Sequence, residues 1–283
     1  MRLTVNNREF TWRNPGVVGI LNLTPDSFSD GGAYASVDAA VQRALAMIAE
    51  GATMIDLGGE STRPGSQPVS VETELDRLLP VLRALPKDQF PISVDSNKPE
   101  VQEVVLREGA HIINDIYGGS EELFVMAQKY HAGLILMHTP APPDIMQSRT
   151  HYEDVVEDIH TWFAAKHRAL HSYDLPAIWA DPGIGFGKTL EQNLALLRNL
   201  QRFRFPGWGL LLGTSRKSWI EKLTGAPVEQ RLGGSIASVV MAWQQGADLF
   251  RVHDVSETVQ ALQIAQAIAV PNPTNRSKPC PTN

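Results

Sequence analysis

The sequence of 283 residues contains a single cysteine, Cys280, in a polar, proline-rich stretch. One cysteine excludes an internal disulfide, a CxxC redox pair and a cysteine-built zinc site. No apolar run approaches the roughly 18 residues that cross a bilayer. The first ten residues lack the apolar core of a signal peptide. We therefore expect a cytoplasmic protein without a membrane partner.

Basic charge is also scarce, since 25 Lys and Arg face 31 Asp and Glu, for a net charge of −6. General nucleic-acid binding requires a basic excess, so nucleic acid is not an expected partner, although a local basic patch stays compatible. Hydrophobic residues make up 43 % and charged residues 20 %, which allows a sizeable core and excludes global disorder.

Eight apolar runs divide the chain, several of them continuous, as in strands buried on both faces. Amphipathic segments that indicate helices lie between most of these runs. The runs span residues 17–23, 53–57, 91–94, 111–116, 133–137, 176–179, 209–212 and 249–252.

This alternation predicts an α/β fold, a single-domain (β/α)₈ TIM barrel over residues 1–270. A doubly wound open sheet is the alternative, but it usually has fewer strands. Residues 1–13 are expected to form a hairpin that closes the barrel bottom. Residues 271–283 are predicted to be a disordered tail.

Local signals mark several helix ends. Ser70 is an expected N-cap, and Pro99 suits the first turn of a helix. Thr189 and Gln192 have capping-box spacing. Pro80 is expected to kink its helix. The helix between the fourth and fifth strands rests on residues 121–130 alone.

Polar residues follow nearly every predicted strand, where barrel enzymes carry their catalytic groups. A single such residue is more often a turn former or a helix cap. Asp115, Glu60 and Asp254 stay open to that interpretation, and His138 to that of a core histidine. The residues at the strand ends are Asn22, Glu60, Asp95, Asn114, Asp115, His138, Asp181, Ser215, Arg216, Lys217, Arg251 and His253.

One group of these residues suits a flat heterocycle. Asp95, Asn114, Asp181 and Lys217 would point into the barrel mouth from different strands. Carboxylates and an amide match a ring with N–H and NH₂ edges. The alternative is a buried Asp–Lys ion pair that serves only the fold.

A second group suits an anion. Arg63, Arg251 and His253 supply cationic donors, with Thr62 and Asn22 as neutral partners. The alternative is an ordinary solvated surface. A helix start near residues 215–218 would add backbone N–H groups that favour a carboxylate or phosphate.

Residues 181–188 resemble the end of a P-loop, but Pro182 occupies the first glycine position, so that motif fails. No HExxH or His/Cys cage occurs in the sequence, so the expected metal is an oxygen-ligated Mg²⁺ shared with a phosphorylated substrate. The glycine- and proline-rich loops 24–33 and 58–69 are expected to close over the substrate.

Seven segments, in order, resemble those of the dihydropteroate synthases, a family of pterin-binding barrels. The resemblance covers about residues 19 to 253. One departure is Ser96, where the family usually has threonine, and the hydroxyl is kept. The segments are ILNLTPDSFSDGG (20–32), DLGGESTRPG (56–65), PISVDSNKP (91–99), IINDI (112–116), DPGIGFGK (181–188), GTSRKS (213–218) and RVHDV (251–255).

The resemblance implies a transferase that condenses 6-hydroxymethyl-7,8-dihydropterin diphosphate with 4-aminobenzoate in folate synthesis, usually as a homodimer. Sulfonamides mimic aminobenzoate in this family. Asp95, Lys217, Arg251 and His253 would be catalytic. By matching motif, the pterin would be held by Asp95, Asn114, Asp181 and Lys217, and the Mg²⁺ by Asn22. The diphosphate would be held by Thr62, Arg63, Arg251 and His253. The aminobenzoate would be held by Phe28, Pro64, Phe186, Lys217 and Ser218.

Two other functions compete. A pterin-dependent methyltransferase would share the pterin pocket, but the STRPG and SRKS segments argue against it. A non-catalytic pterin-binding paralogue would be expected to lose motif residues in the two glycine-rich loops, and none is lost.

Overall fold

The structure, a computed structural model, describes residues 2–24, 32–62 and 65–269. Phe28, Arg63, Pro64 and the predicted tail lie outside these described residues, as does most of the 24–33 loop. Within the described ranges, no helix is long and apolar enough to cross a membrane.

Eight parallel strands form a closed barrel, hydrogen-bonded in chain order, with the last strand pairing with the first. This closure confirms the predicted (β/α)₈ barrel and excludes the open doubly wound sheet. The barrel strands are β3 (Gly16–Asn22), β4 (Met54–Gly58), β5 (Ile92–Asp95), β6 (Ile112–Asp115), β7 (Gly133–Met137), β8 (Ile178–Asp181), β9 (Gly209–Leu212) and β10 (Leu249–Val252).

Helices follow the barrel strands and pack around them. The α-helices are α1 (Gly32–Ala49), α2 (Val71–Ala84), α3 (Pro99–Arg107), α4 (Glu121–Tyr130), α5 (Val155–Leu170), α6 (Leu190–Arg198), α7 (Ser218–Thr224), α8 (Leu232–Gln244) and α9 (Val255–Ala269). Short 3₁₀ turns span Met146–Ser148, Leu200–Phe203 and Val228–Gln230.

The helix ends are set by local chemistry. The Ser70 hydroxyl accepts a hydrogen bond from the Thr73 N–H at 3.2 Å, and Pro99 is the first residue of α3. Thr189 and Gln192 form the predicted capping box. Pro80 lies inside α2. These caps confirm the sequence signals because they depend on neighbours only three residues apart.

Helix α5 is the element that the sequence did not predict. Asp154 caps its start by accepting from two backbone N–H groups. Val155, Ile159 and Phe163 form its buried stripe at a spacing of four residues.

A hairpin fills the amino-terminal end of the barrel. Its strands are β1 (Arg2–Val5) and β2 (Arg8–Thr11). It buries Leu3, Val5 and Phe10 in one cluster with side chains from the barrel interior. The opposite, carboxyl-terminal end is therefore the one left for a ligand.

Candidate active site

Three polar side chains are buried where barrel strands end. Asp95 and Asp181 are the last residues of β5 and β8, and Asn114 lies next to the end of β6. Each is at most 8 % exposed. Asp95 and Asn114 are partners in the β5–β6 register. The structure thus brings the predicted heterocycle-binding group to one end of the barrel.

Arg251 bridges two carboxylates at this end. Its Nε donates to Oδ2 of Asp56 at 2.6 Å, and its Nη2 donates to Oδ2 of Asp95 at 3.0 Å. Asn114 Nδ2 also donates to Asp56 Oδ2, at 3.3 Å. Arg251, a predicted anion-binding residue, is therefore in direct contact with Asp95 of the predicted heterocycle-binding group.

Asp56 is a site residue that sequence reasoning missed. It is fully buried in the middle of β4, and its Oδ1 has no hydrogen-bond partner among the described residues. Burying an unpaired carboxylate costs free energy, and the ion pair with Arg251 offsets that cost for Asp56. The signal was an aspartate within the otherwise apolar strand MIDLG.

Burial sets the proton affinities of the site. It raises the pKa of Asp95 to about 7, against the opposing charge of Arg251. Burial also raises the pKa of Asp181, against the opposing charge of Lys217. It lowers the pKa of Lys217 to about 8, with Asp181 opposing the shift. Asp95 and Lys217 therefore change charge near neutral pH, as is common at functional sites.

Lys217 lies between Asp181 and the loop that follows β8. Its Nζ donates to the Ile184 carbonyl and lies 4.6 Å from the Phe186 ring centroid. A Cβ on Gly213 would lie 3.7 Å from Lys217 Nζ and 3.9 Å from Asp181 Oδ2. Gly213 therefore lies next to both charged groups.

The loops after β9 and β10 are joined to each other. The Ser215 hydroxyl accepts from the His253 N–H at 3.2 Å and lies 3.1 Å from His253 Nδ1. Arg216 Nε donates to Asp254 at 2.9 Å. Ser218 is exposed at the first position of α7. Hydrogen bonds therefore hold the loop that carries His253 to the loop that leads into Ser218.

Glu60 and Asp115 have partners that suit bracing. Lys98 Nζ lies 2.5 Å from Glu60 Oε2, which also accepts from the Val69 N–H at 2.8 Å. Asp115 accepts from Gln102 Nε2 at 2.9 Å. These contacts favour the structural interpretation of both acids, because the oxygens hold neighbouring loops.

Asn22 ends β3 and Thr62 follows β4, and both are half-buried. Gly58 leaves the Asn22 amide oxygen uncovered on one side, since a Cβ there would lie 3.4 Å from Oδ1. The described part of the chain holds no group of three His, Cys, Asp or Glu able to cage a metal. An amide oxygen such as Oδ1 of Asn22 is a ligand type that hard cations accept.

A closed barrel with buried acids, an amide and cations at its carboxyl-terminal end is the framework of an enzyme that binds a polar heterocycle. The family model described as pterin binding enzyme matches residues 18–253. Dihydropteroate synthase of Escherichia coli is 43 % identical over 271 residues, covering 94 % of this chain and 96 % of the relative. The chain belongs to the dihydropteroate synthase family.

Solved structures agree. Dihydropteroate synthase of Yersinia pestis, with a sulfonamide drug complex, matches with a TM-score of 0.86 and 42 % identity, covering 95 % of this chain and 99 % of that one. The Xanthomonas albilineans enzyme in complex with 7,8-dihydropteroate matches with a TM-score of 0.83 and 40 % identity, covering 96 % and 100 %.

Proposed function

We propose that this chain condenses 6-hydroxymethyl-7,8-dihydropterin diphosphate with 4-aminobenzoate, giving 7,8-dihydropteroate and pyrophosphate. The observation that carries the proposal is the buried Asp95–Arg251–Asp56 network beside Asn114. The similarity to a synthase in complex with 7,8-dihydropteroate supports it. The single cysteine suits a cytoplasmic location, which we propose as well.

In this proposal the pterin ring is held by its edges. The carboxylates of Asp95 and Asp181 accept from ring N–H and NH₂ groups, and the Asn114 amide can both donate and accept. Their burial excludes competing water. Asp95 further stabilises positive charge that develops on the pterin as its exocyclic C–O bond breaks.

The diphosphate is the leaving group, and cations stabilise the charge that grows on it. Arg251 and His253 supply these donors, with Thr62 as a neutral partner and Arg63 expected to join them. The side-chain oxygen of Asn22 would hold Mg²⁺. When bound, this ion neutralises diphosphate charge.

The aminobenzoate nitrogen attacks as a free amine. Its lone pair forms the new C–N bond while the C–O bond to the diphosphate breaks, and the nitrogen then releases one proton. We expect Lys217 and Phe186 to contact the ring and Ser218 to bind the carboxylate, with Phe28 and Pro64 as further predicted contacts. A strong protein base is not required, because the amine carries no charge before attack.

Turnover tests the function. Purified protein with the pterin diphosphate, 4-aminobenzoate and Mg²⁺ is expected to form dihydropteroate, and a sulfonamide is expected to compete with 4-aminobenzoate. Chelation of Mg²⁺ should stop turnover, and excess Mg²⁺ should restore it. Pterin binding without product would favour the non-catalytic paralogue and overturn the synthase proposal.

We further propose a homodimer. Exposed apolar side chains are carried by the consecutive helices α7, α8 and α9, where Leu223 is 57 %, Met241 59 % and Ile264 59 % exposed. Burying them against a second copy is favourable. Light scattering should give twice the chain mass, and Met241→Glu should shift it towards monomer. Val125→Glu, at an equally exposed position on α4, should stay dimeric.

A further inference from the structure

Lys188 is buried among backbone carbonyls, although the proposed mechanism does not use it. The residue is 2 % exposed. Its Nζ donates to the carbonyls of Phe186 at 2.9 Å, Gly183 at 3.0 Å and His138 at 3.3 Å. A buried lysine is costly, so this many acceptors around one amine needs an explanation.

The fourth neighbour of this amine is the His138 ring, whose Nδ1 lies 3.4 Å from Lys188 Nζ. Burial, and next the charge of Lys188, lower the pKa of His138 to about 3, so the ring is neutral and Nδ1 can accept. His138 packs edge-on against Trp162 with ring centroids 5.2 Å apart. This favours the core-histidine interpretation of His138.

The carbonyls that Lys188 gathers belong mostly to the loop between β8 and α6, residues 182–189. Gly183, Gly185 and Gly187 all have positive φ there, which lets the carbonyls turn inward. Asn193 holds the same loop from the other side by accepting from the Gly185 N–H at 2.6 Å. The loop is thus folded around the lysine amine.

The same loop meets the proposed aminobenzoate site. Its Ile184 carbonyl accepts from Lys217 Nζ, and its Phe186 ring lies under that amine. Lys188 is bonded to the Phe186 carbonyl, so one side chain fixes the backbone from which both contacts arise. Of the pterin-holding groups, Asp95 and Asn114 lie on other strands, and Asp181 alone borders the loop, where it accepts from the Gly183 N–H at 2.8 Å.

We propose that Lys188 is a positioning residue for the aminobenzoate site: its amine organises the β8–α6 loop, which in turn places Phe186 and Lys217. The inference rests on the proposed synthase function. Without these bonds the loop carbonyls would lose their shared donor, and Lys217 would lose its fixed acceptor at Ile184.

Steady-state kinetics of Lys188→Met test the proposal. We expect the KM for 4-aminobenzoate to rise about tenfold or more, since small misplacements of binding groups have effects of that order. The KM for the pterin diphosphate should rise at most about a third as much, because Asp95, Asn114 and Arg251 keep their own supports and only Asp181 borders the loop. Equal rises in both KM values, or no rise, would overturn the proposal.

Lys166→Met is the matched control. Lys166 Nζ also donates to a loop carbonyl, that of Gly119 at 2.9 Å, in the loop between β6 and α4. That loop carries no residue assigned to a substrate, so both KM values should stay near wild type. The same selective rise in Lys166→Met would overturn the proposal, because the effect would then be general loosening.

Lys188→Gln is the second variant, needed if thermal melting shows that Lys188→Met is unfolded. Its amide can donate to two of the carbonyls, so the same selective rise is expected at smaller size. Wild-type kinetics in Lys188→Gln would overturn the role of the amine. Turnover by the wild-type protein tests the proposed function separately. If the wild type shows no turnover, calorimetry of 4-aminobenzoate binding to each variant tests the role of Lys188 instead.

Discussion

At the scale of single residues, the proton affinity of Asp95 links the fold to the proposed chemistry. Burial raises its pKa to about 7, although Arg251 opposes the shift. As pH falls through this value, the carboxylate gains a proton and loses its capacity as a full acceptor for pterin N–H groups. We therefore expect kcat/KM for the pterin diphosphate to fall as pH decreases below about 7.

The check is a pH profile of kcat/KM for wild type and Asp95→Asn. The variant should be slower throughout and should lack the inflection near pH 7 that belongs to Asp95. The substrate diphosphate titrates in the same way with both proteins, so the difference between the two pH profiles reports the titration of Asp95. Parallel profiles would contradict the assignment.

Arg251 gives the second prediction at this scale. Arg251→Ala leaves Asp56 and Asp95 buried without their counter-charge, so we expect a loss of about 3–5 kcal/mol in unfolding free energy. Turnover should fall about 10²-fold or more. Arg251→Lys keeps the charge but not the forked geometry of the guanidinium. Compared with Arg251→Ala, it should therefore restore most of the stability but little of the turnover.

Urea denaturation with kcat measurements separates these two effects. Arg216→Ala is the stability control, because that arginine pairs with Asp254 at an exposed position and such pairs contribute at most about 1 kcal/mol. Near-normal turnover in folded Arg251→Ala would refute its role at the diphosphate.

At the scale of elements, the β8–α6 loop depends on a glycine at a close approach. Gly183 has φ +70°, and a Cβ there would lie 2.0 Å from the His138 carbonyl oxygen. Gly207 has φ +79° but no atom within 4 Å of such a Cβ. Gly207→Ala should therefore cost about 1 kcal/mol from backbone strain alone.

Gly183→Ala should cost at least about twice as much, because the backbone must also shift away from His138. Urea denaturation of the two variants provides the comparison. Equal losses would mean that the close approach carries no energy. The pair is matched because both glycines have a left-handed φ and differ in the space around them.

Elements were predictable where their cause is local. Thr189 and Gln192 satisfy each other within one turn, so their capping box is visible in the sequence. Helix α5 escaped prediction because its buried stripe lies among many charged and polar residues. The barrel was predictable because continuous apolar runs, typical of strands covered on both faces, alternate with amphipathic segments along the chain.

The site was less predictable, because its contacts join residues far apart in the chain. Asp95, Asn114, Asp181 and Lys217 could be placed by their positions after strands. Pairing of Asp56 with Arg251 crosses 195 positions, and no local spacing indicates it. Lys188 lies in the DPGIGFGK segment, but no local spacing indicates its role, since its acceptors are carbonyls brought together by the fold.

At the scale of the whole molecule, the barrel separates stability from chemistry at its two ends. The hairpin β1–β2 closes the amino-terminal end with Leu3, Val5 and Phe10, while the candidate site lies at the carboxyl ends of the strands. Phe10 is 7 % exposed, and its ring meets His111 edge-on at 5.0 Å. Changes at this end should therefore affect folding without reaching the site.

Phe10→Ala tests this separation. Truncation of a buried aromatic ring should lower the unfolding free energy by about 3–5 kcal/mol. Below the melting transition, kcat and both KM values should match wild type, because no group at the site loses a contact. Val125→Ala, at a position 55 % exposed on α4, should change stability by less than about 0.5 kcal/mol. A fall in kcat for fully folded Phe10→Ala would show that the two ends are coupled through the barrel interior.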